Sequence, residues 1–439
     1  MSRVNALEVR GGFPLKGTIQ VPGDKSISHR ALILAAMGGG TSELAGISDG
    51  DDVARTAAAI SHLGAGVSVT GRDNGRISLT VAGGPRRLHE PAQVLDLGNS
   101  GTGIRLLAGM AAGFSWTTIL TGDVSLSSRP MDRISGPLRR MGAKVDGRQD
   151  AMFSPLVVRG GDLQGIDYSP PMPSAQVKSA ILLAGLRADG ETIVREAVAT
   201  RSHTEELISY CGGNITATQD GRGRVVKLVP GPLDPFKLNI PGDPSQAAFW
   251  VVAALCVEGS EIVLPDVYSG PERIGYIEVL RRMGADIDVK PEAGQGSTTA
   301  TITARYSGKL RATQISGDEI SGLDEVPILA VAAATAQGRT TFSKVAELRG
   351  KETDRLATIS SELGALGALI SVEEGPVIAI EGGGFKGGIA TSHGDHRIAM
   401  ACAIAGCAGS NAVRVEGWDA VATSYPMFAE HLRRLSRWK

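Results

Sequence analysis

The 439-residue chain is long enough for two or three domains. Lys+Arg is 45 and Asp+Glu is 46, for a net charge of −1, which argues against a nucleic-acid coat or a membrane-surface protein, since both usually need a basic excess. Hydrophobic residues make up 42% and aromatics 4%, too apolar for disorder and too poor in rings for a stacking platform on single-stranded nucleic acid. The longest apolar run, Ala247 to Val257, falls short of the roughly 18 residues of a membrane span. The N-terminus, MSRVNALEVRGG, has no hydrophobic signal core. Cys211, Cys256, Cys402 and Cys407 lie in apolar stretches without CxxC spacing, so buried free thiols of a reduced, cytoplasmic protein are expected.

In chain order, six stretches read as helices that are apolar nearly all round and therefore enclosed. They are SISHRALILAAMGGG, SGTGIRLLAGMAAG, SAQVKSAILLAGLRADG, PSQAAFWVVAALCVEG, DEVPILAVAAATAQG and DHRIAMACAIAGCAG, each ending at Gly. Amphipathic stretches alternate with them and end in an apolar residue, then Gly, then β-branched residues, as in HLGAGVSV, RRMGAKVD and RRMGADIDV. Glycine there supplies a left-handed helix cap before a strand. Gly64, Gly142, Gly212, Gly284 and Gly364 mark these ends at intervals of 78, 70, 72 and 80 residues. The unit reads strand, buried helix, strand, outer helix, strands, and six units fill the chain.

Val21-Pro22-Gly23-Asp24-Lys25-Ser26 recurs as Ile240-Pro241-Gly242-Asp243-Pro244-Ser245, before the first and fourth buried helices. If the first strand pairs with the last three units, the chain crosses between two three-unit domains at these sites, like a hinge. The expected domains are 1–22 with 242–439, and 23–241.

Asp, Asn and Ser at the buried helix starts read as N-caps. Cations there do not, because the helix dipole disfavours them. Lys25, Arg129, Arg201, Lys351, Arg355 and Arg397 all fall in or near the first turn of a predicted helix, and a cation at that place makes sense if an anion sits against it. Lys351 and Arg355, four apart, would share a helix face, with Glu352 in pairing range of Arg355. Asp324 is either a helix cap or a carboxylate in a basic cleft, suited to act as a base. Gly382–Gly387 matches GxGxxG, but no amphipathic helix follows it. His393 and His396 straddle a helix start with no third ligand cluster nearby, so no metal is expected.

PGDKSISHR at 22–30, LGNSGTGIR at 97–105, SSRPM at 127–131, PMPSAQVKSA at 171–180, LDEVPILAVAAA at 323–334, LRGKETDRL at 348–356 and GDHRIAMA at 394–401 resemble the 5-enolpyruvylshikimate-3-phosphate synthase family across essentially the whole chain. The resemblance implies an α/β fold of two inside-out α/β barrel domains, each of three βαβαββ units, joined by a two-strand hinge and closing on substrate. It implies transfer of the enolpyruvyl group of phosphoenolpyruvate to the 5-hydroxyl of shikimate 3-phosphate, on the way to chorismate, with no cofactor. Lys25, Ser26, Arg30, Ser174, Ala175, Gln176, Arg201, Asp324 and Lys351 would hold shikimate 3-phosphate. Lys25, Gly101, Arg129, Gln176, Arg355 and Arg397 would hold phosphoenolpyruvate. Asp324 resembles the proton acceptor and Glu352 the proton donor, with Lys25 completing the catalytic set. The partners implied are these two small anions, for a monomer that binds neither nucleic acid nor membrane.

One branch of the family has Pro where Leu106 stands and a Lys in the stretch matching Val421 to Pro426; this chain has neither. The other branch often has Ala where Gly101 stands, and Gly101 suits binding of the inhibitor glyphosate. Two rivals differ by specific residues. The sister transferase acting on UDP-N-acetylglucosamine carries a reactive Cys beside Gly-Arg-Pro, a setting none of the four cysteines has. A non-catalytic sugar-phosphate-binding protein would need the cations but neither Asp324 nor Glu352.

Overall fold

The computed structural model describes residues 5–292 and 298–437, so both ends of the expected domain 1–22 with 242–439 lie outside the described residues, while 23–241 is described throughout. The chain divides into two compact units. A central unit runs from Gly23 to Ile240, and a split unit combines the residues up to Pro22 with those from Pro241 onward.

In the central unit, three buried helices, Lys25–Met37, Gly101–Ala112 and Ala175–Gly185, form the interior. Their apolar residues leave no face for solvent: Leu32, Ile33, Leu107, Ile181 and Leu182 are at most 1% exposed. Each such side chain contributes roughly 1.5–3 kcal/mol of burial. Three four-stranded sheets cover them. In one, Leu95–Asp96 runs parallel to Thr117–Thr121, which pairs antiparallel with Phe153–Arg159, itself paired with Lys144–Gly147. Burial alternates as a one-sided sheet requires: Ser154, Leu156 and Val158 face in while Pro155 and Arg159 face out.

The split unit repeats the plan with Pro244–Cys256, Val326–Thr335 and His396–Ala408 inside. Two four-stranded sheets and one three-stranded sheet surround them. All six enclosed helices are thus where their apolar stretches put them. The architecture is α/β with helices within and sheets without, although the strands pair as separate sheets rather than one closed barrel.

The crossings exchange strands. Lys16–Thr18 precedes the helix Lys25–Met37 in sequence but pairs with Glu261–Tyr268 in the split unit, Gly17 opposite Ile262. Lys237–Asn239 precedes the helix Pro244–Cys256 but pairs with Gly40–Ser48 in the central unit, Leu238 opposite Leu44. The first strand, Ala6–Val9, completes the last sheet by pairing with Val413–Glu416. Both crossing glycines are crowded: a Cβ on Gly23 would stand 1.8 Å from the Gly46 backbone oxygen, and one on Gly242 would stand 2.7 Å from the Val21 side chain and 3.1 Å from the Asp266 carbonyl.

Of the marker glycines, Gly64, Gly142, Gly212 and Gly284 have the positive φ of a left-handed cap. Gly364 does not, because it lies inside the helix Arg355–Ala365, and Gly367 at φ +101° supplies that cap. Gly382–Gly387 joins two strands, Val377–Glu381 and Gly388–Thr391. No helix among the described residues is long and apolar enough to cross a membrane.

Candidate active site

In the central unit, the singled-out residues collect at the starts of the three inner helices. Asp24, Ser100 and Ser174 are N-caps, their side chains accepting from the amides of Ile27, Gly103 and Val177. Lys25, Gly101 and Ala175 are therefore the first helical residues, and a helix start favours an anion, although the Gly101 amide itself donates to the Asn99 carbonyl at 2.9 Å.

Lys25 Nζ lies 2.9 Å from Asp52 Oδ2 with 16% of its side chain exposed. Beneath it His29 is buried, its Nδ1 2.8 Å from Thr56 Oγ1. Burial, then Lys25, then Arg30 hold the His29 pKa well below its ordinary value, so the ring is neutral. Ser26 Oγ receives a 3.4 Å contact from Arg201 NH1. Arg30 is 2% exposed. It donates through Nε to Thr204 Oγ1 at 2.7 Å, through NH2 to Ser179 Oγ at 2.7 Å and through NH1 to the Ser26 carbonyl at 2.8 Å. This places Arg30 as a brace under Ser26.

Arg129 NH1 donates to the Asn99 carbonyl at 3.3 Å and its NH2 reaches Ser125 Oγ at 3.0 Å and Asn99 Oδ1. Gln176 Nε2 donates to Thr102 Oγ1 at 3.0 Å, and Gln176 Oε1 accepts from Arg105 NH1 at 2.6 Å. Arg105 thus joins Gln176 to the Pro130 carbonyl, 3.0 Å from its NH2. Arg105 ends the LGNSGTGIR motif, and its spacing of four from Gly101 is the sequence signal that points to it. A Cβ on Gly101 would stand 3.2 Å from both Arg105 NH1 and Arg129 NH1, so the missing side chain leaves room for two guanidinium groups.

The split unit gathers the other five residues. Asp324 Oδ1 lies 3.5 Å from Arg355 NH1 and 3.6 Å from Lys351 Nζ, and Oδ2 lies 3.8 Å from Arg397 NH2. Arg397 NH1 also donates to the Asp324 carbonyl at 3.1 Å, and Lys351 Nζ to the Gly322 carbonyl at 2.6 Å. Glu352 Oε2 lies 2.7 Å from Arg355 NH2. Arg355 has no exposed side chain and grips Asp395 with Nε at 2.7 Å and NH2 at 3.1 Å. Burial opposes the Arg355 charge, but Asp395, then Glu352 and Asp324 overcome it, so its pKa is raised. Burial likewise opposes ionisation of Asp395, and Arg355 outweighs this, leaving Asp395 below the usual carboxylate range. Asp395 also caps the helix His396–Ala408 by accepting from the Arg397 amide. From the sequence alone Asp395 is legible only as a helix start.

Three expectations change. Asp324 is not a helix cap: the helix begins at Val326, and Leu323, buried at φ +58°, turns Asp324 toward the cations instead. A left-handed leucine costs on the order of 1–3 kcal/mol and is held here by burial. Lys351 and Arg355 share no helix face, because Lys351 is extended and the helix starts at Arg355. Arg129 and Arg201 stand just before their helices, which begin at Asp132 and His203. Only Lys25, Arg355 and Arg397 occupy a first α-helical turn.

His393 Nε2 lies 2.9 Å from Oε1 of the buried Glu362, whose Oε2 accepts from the Thr391 amide at 2.7 Å. No group of three or more His, Cys, Asp or Glu suited to a metal occurs among the described residues.

Residues 9–432 match the EPSP synthase family, described as 3-phosphoshikimate 1-carboxyvinyltransferase. A protein of that name from Phenylobacterium zucineum is 45% identical over 98% of this chain and 94% of its own length. One from Bacillus anthracis is 42% identical over 96% and 97%. The solved EPSP synthase from Acinetobacter baumannii superimposes with a TM-score of 0.85 at 40% identity, covering 98% of both chains. The enolpyruvyl transferase NikO from Streptomyces tendae, at 18% identity and a TM-score of 0.78, shares the fold. With the cation frame at the inner helix starts and three acids on Arg355 in the same chain, these likenesses place the protein in the EPSP synthase family.

Proposed function

We infer that the chain transfers the enolpyruvyl group of phosphoenolpyruvate to the 5-hydroxyl of shikimate 3-phosphate and releases phosphate. The observation that carries the reading is the Asp324 carboxylate with three cations, Lys351, Arg355 and Arg397, within 3.8 Å. Such a frame suits an acid that must work beside two anionic substrates.

Shikimate 3-phosphate is assigned to Lys25, Ser26, Ser174, Ala175, Gln176, Arg201 and Lys351, with Arg30 holding Ser26 from below. Phosphoenolpyruvate is assigned to Lys25, Gly101, Arg129, Gln176, Arg355 and Arg397. Asp324 takes the 5-hydroxyl proton as that oxygen attacks C2 of phosphoenolpyruvate. Glu352, directed by Arg355, gives a proton to C3, so the double bond becomes a methyl group on a tetrahedral carbon. Loss of phosphate and return of the C3 proton restore the double bond on the transferred group. Arginines around the phosphate stabilise the departing charge.

Both residue sets must reach one substrate pair, so closure of the two units on ligand belongs to the proposal. The reading extends to a cytoplasmic monomer, in keeping with four free cysteines. Phosphate release tests it. Release is expected only when both substrates are present, together with a smaller radius of gyration by X-ray scattering once shikimate 3-phosphate is added. Release without shikimate 3-phosphate, or with UDP-N-acetylglucosamine in its place, would overturn it.

A further inference from the structure

Outside the residues so far assigned, the central unit holds a buried charge cluster. Lys178 lies in the first half of the helix Ala175–Gly185 and is 0% exposed. Its Nζ is 2.9 Å from Glu196 Oε2 and 2.7 Å from Glu205 Oε1. Arg224 NH1 stands 3.5 Å from Glu205 Oε1, so two cations face two anions. Burying such a set is costly, and hydrophobic replacements of buried ion pairs are often neutral or stabilising, so stability alone explains it poorly.

The two glutamates have one feature in common. Glu196 ends the strand Thr192–Glu196, and Glu205 lies in the first turn of the helix His203–Tyr210. They bracket the segment 197–202 that carries Arg201. Thr200, the residue before Arg201, donates its hydroxyl to Glu196 Oε1. Next to Lys178, Ser179 Oγ lies 2.7 Å from Thr204 Oγ1, the group that also receives Arg30 Nε. Adjacent residues on one helix therefore clasp both ends of the Arg201 segment and the brace beneath Ser26.

We propose that Lys178 is a positioning residue for the shikimate 3-phosphate side of the site: with Glu196 and Glu205 it fixes the segment 197–202 so that Arg201 stands over Ser26. The proposal rests on the enzymatic reading above. Lys178 touches no substrate; it acts through Arg201 and Arg30. Because the clasp serves only that side, its loss acts on one substrate and spares the other.

Three variants test it in steady-state assays with both substrates varied: Lys178→Met, Lys178→Met with Glu196→Gln, and Thr200→Val. The double variant leaves Glu205 paired with Arg224, so its melting temperature should recover relative to Lys178→Met. Its KM for shikimate 3-phosphate should nevertheless stay at least tenfold raised, with the KM for phosphoenolpyruvate within threefold of wild type. Thr200→Val, a mild change, should raise the first KM about threefold and leave the second alone. If both KM values return with the melting temperature in the double variant, or move together in all three, the cluster is structural and the proposal fails. Wild-type turnover in the same assay is read first: its absence would overturn the enzymatic reading, whereas normal wild-type kinetics with unselective variants would overturn only this one.

Discussion

The same Pro-Gly-Asp turn opens the first inner helix of each unit, and the two copies have diverged in one decisive position. Asp24 and Asp243 have nearly the same backbone, at φ −55°, ψ 118° and φ −73°, ψ 117°, and both cap their helices. In the central unit the next residues are Lys25 and Ser26, both part-exposed. In the split unit they are Pro244 and Ser245, both buried. Proline is well suited to a first helical position and brings no charge. Ser245 turns inward to donate to Glu325 Oε1 at 2.5 Å, and Asp243 is paired with buried Arg273 at 3.0 Å. The fold is repeated and the chemistry is not: one helix start is kept open and cationic, and its counterpart is closed by an internal ion pair.

That contrast makes the largest prediction a paired one. Lys25→Ala should lower kcat/KM on the order of 10²- to 10³-fold, as expected for a lost anion-stabilising donor, and should lower the melting temperature by less than Arg273→Met does, because it takes a partner from buried Asp52 but Lys25 itself is part-exposed. Arg273→Met should do the reverse: strand Asp243 in the interior, cost about 3–5 kcal/mol of stability, and leave the kcat of the folded fraction within threefold. Chemical denaturation and steady-state kinetics on both variants check this. Matching effects at the two sites would erase the distinction drawn between them.

Gly101→Ala probes the open helix start from the other side. The added methyl would press on Arg105 and Arg129, each 3.2 Å from its position. Glyphosate is expected to compete with phosphoenolpyruvate and, being longer, to tolerate that crowding less. The variant should weaken glyphosate roughly tenfold to a hundredfold, and phosphoenolpyruvate much less. Leu106 is buried in the same helix, about one turn on from Gly101, and is the neighbouring side chain that can shift this helix start. An insensitive wild type would contradict the expectation, and equal loss of both ligands would show that the arginines, not the inhibitor, absorb the methyl.

The smallest effect is on stability against pH. His29 in the central unit is held well below its ordinary pKa by burial, then Lys25 and Arg30. His431 in the split unit is lowered to about 4 by burial and then Arg434. Both refuse a proton in the native state that the unfolded chain accepts near pH 6.5. Their stabilisation is therefore complete above that pH and is lost as pH falls toward 4. Urea midpoints between pH 7 and pH 5 should decline, and His431→Gln should flatten part of the slope. A level profile would mean the rings titrate normally.

The inner helices were legible because nearly every residue in them is apolar, a pattern only an enclosed helix sustains. The helix caps were legible at Gly64, Gly142, Gly212 and Gly284. In ELGALGALISV two glycines stand three residues apart, and the helix runs one further turn before Gly367 ends it. Asp324 and Glu352 were legible as acids among cations, but not the bend at Leu323 that aims the first. Arg30 reads as a ligand by the family resemblance of its motif, while its burial depends on Thr204 and Ser179, 174 and 149 residues away in the chain. Lys178 was hidden for the same reason: its partners lie 18 and 27 residues on, in segments with no local signal. Long-range polar pairing leaves no periodicity to read.

The central claim is that a fixed frame of cations binds two anions while Asp324 and Glu352 move protons. The most direct measurement compares binding with turnover in Asp324→Asn and Glu352→Gln. Calorimetric dissociation constants for shikimate 3-phosphate should stay within about threefold of wild type while turnover falls on the order of 10²- to 10⁴-fold, the usual worth of a positioned proton-transfer group. Turnover near the wild-type value in either variant, or a loss of binding that matches the loss of turnover, would contradict the account.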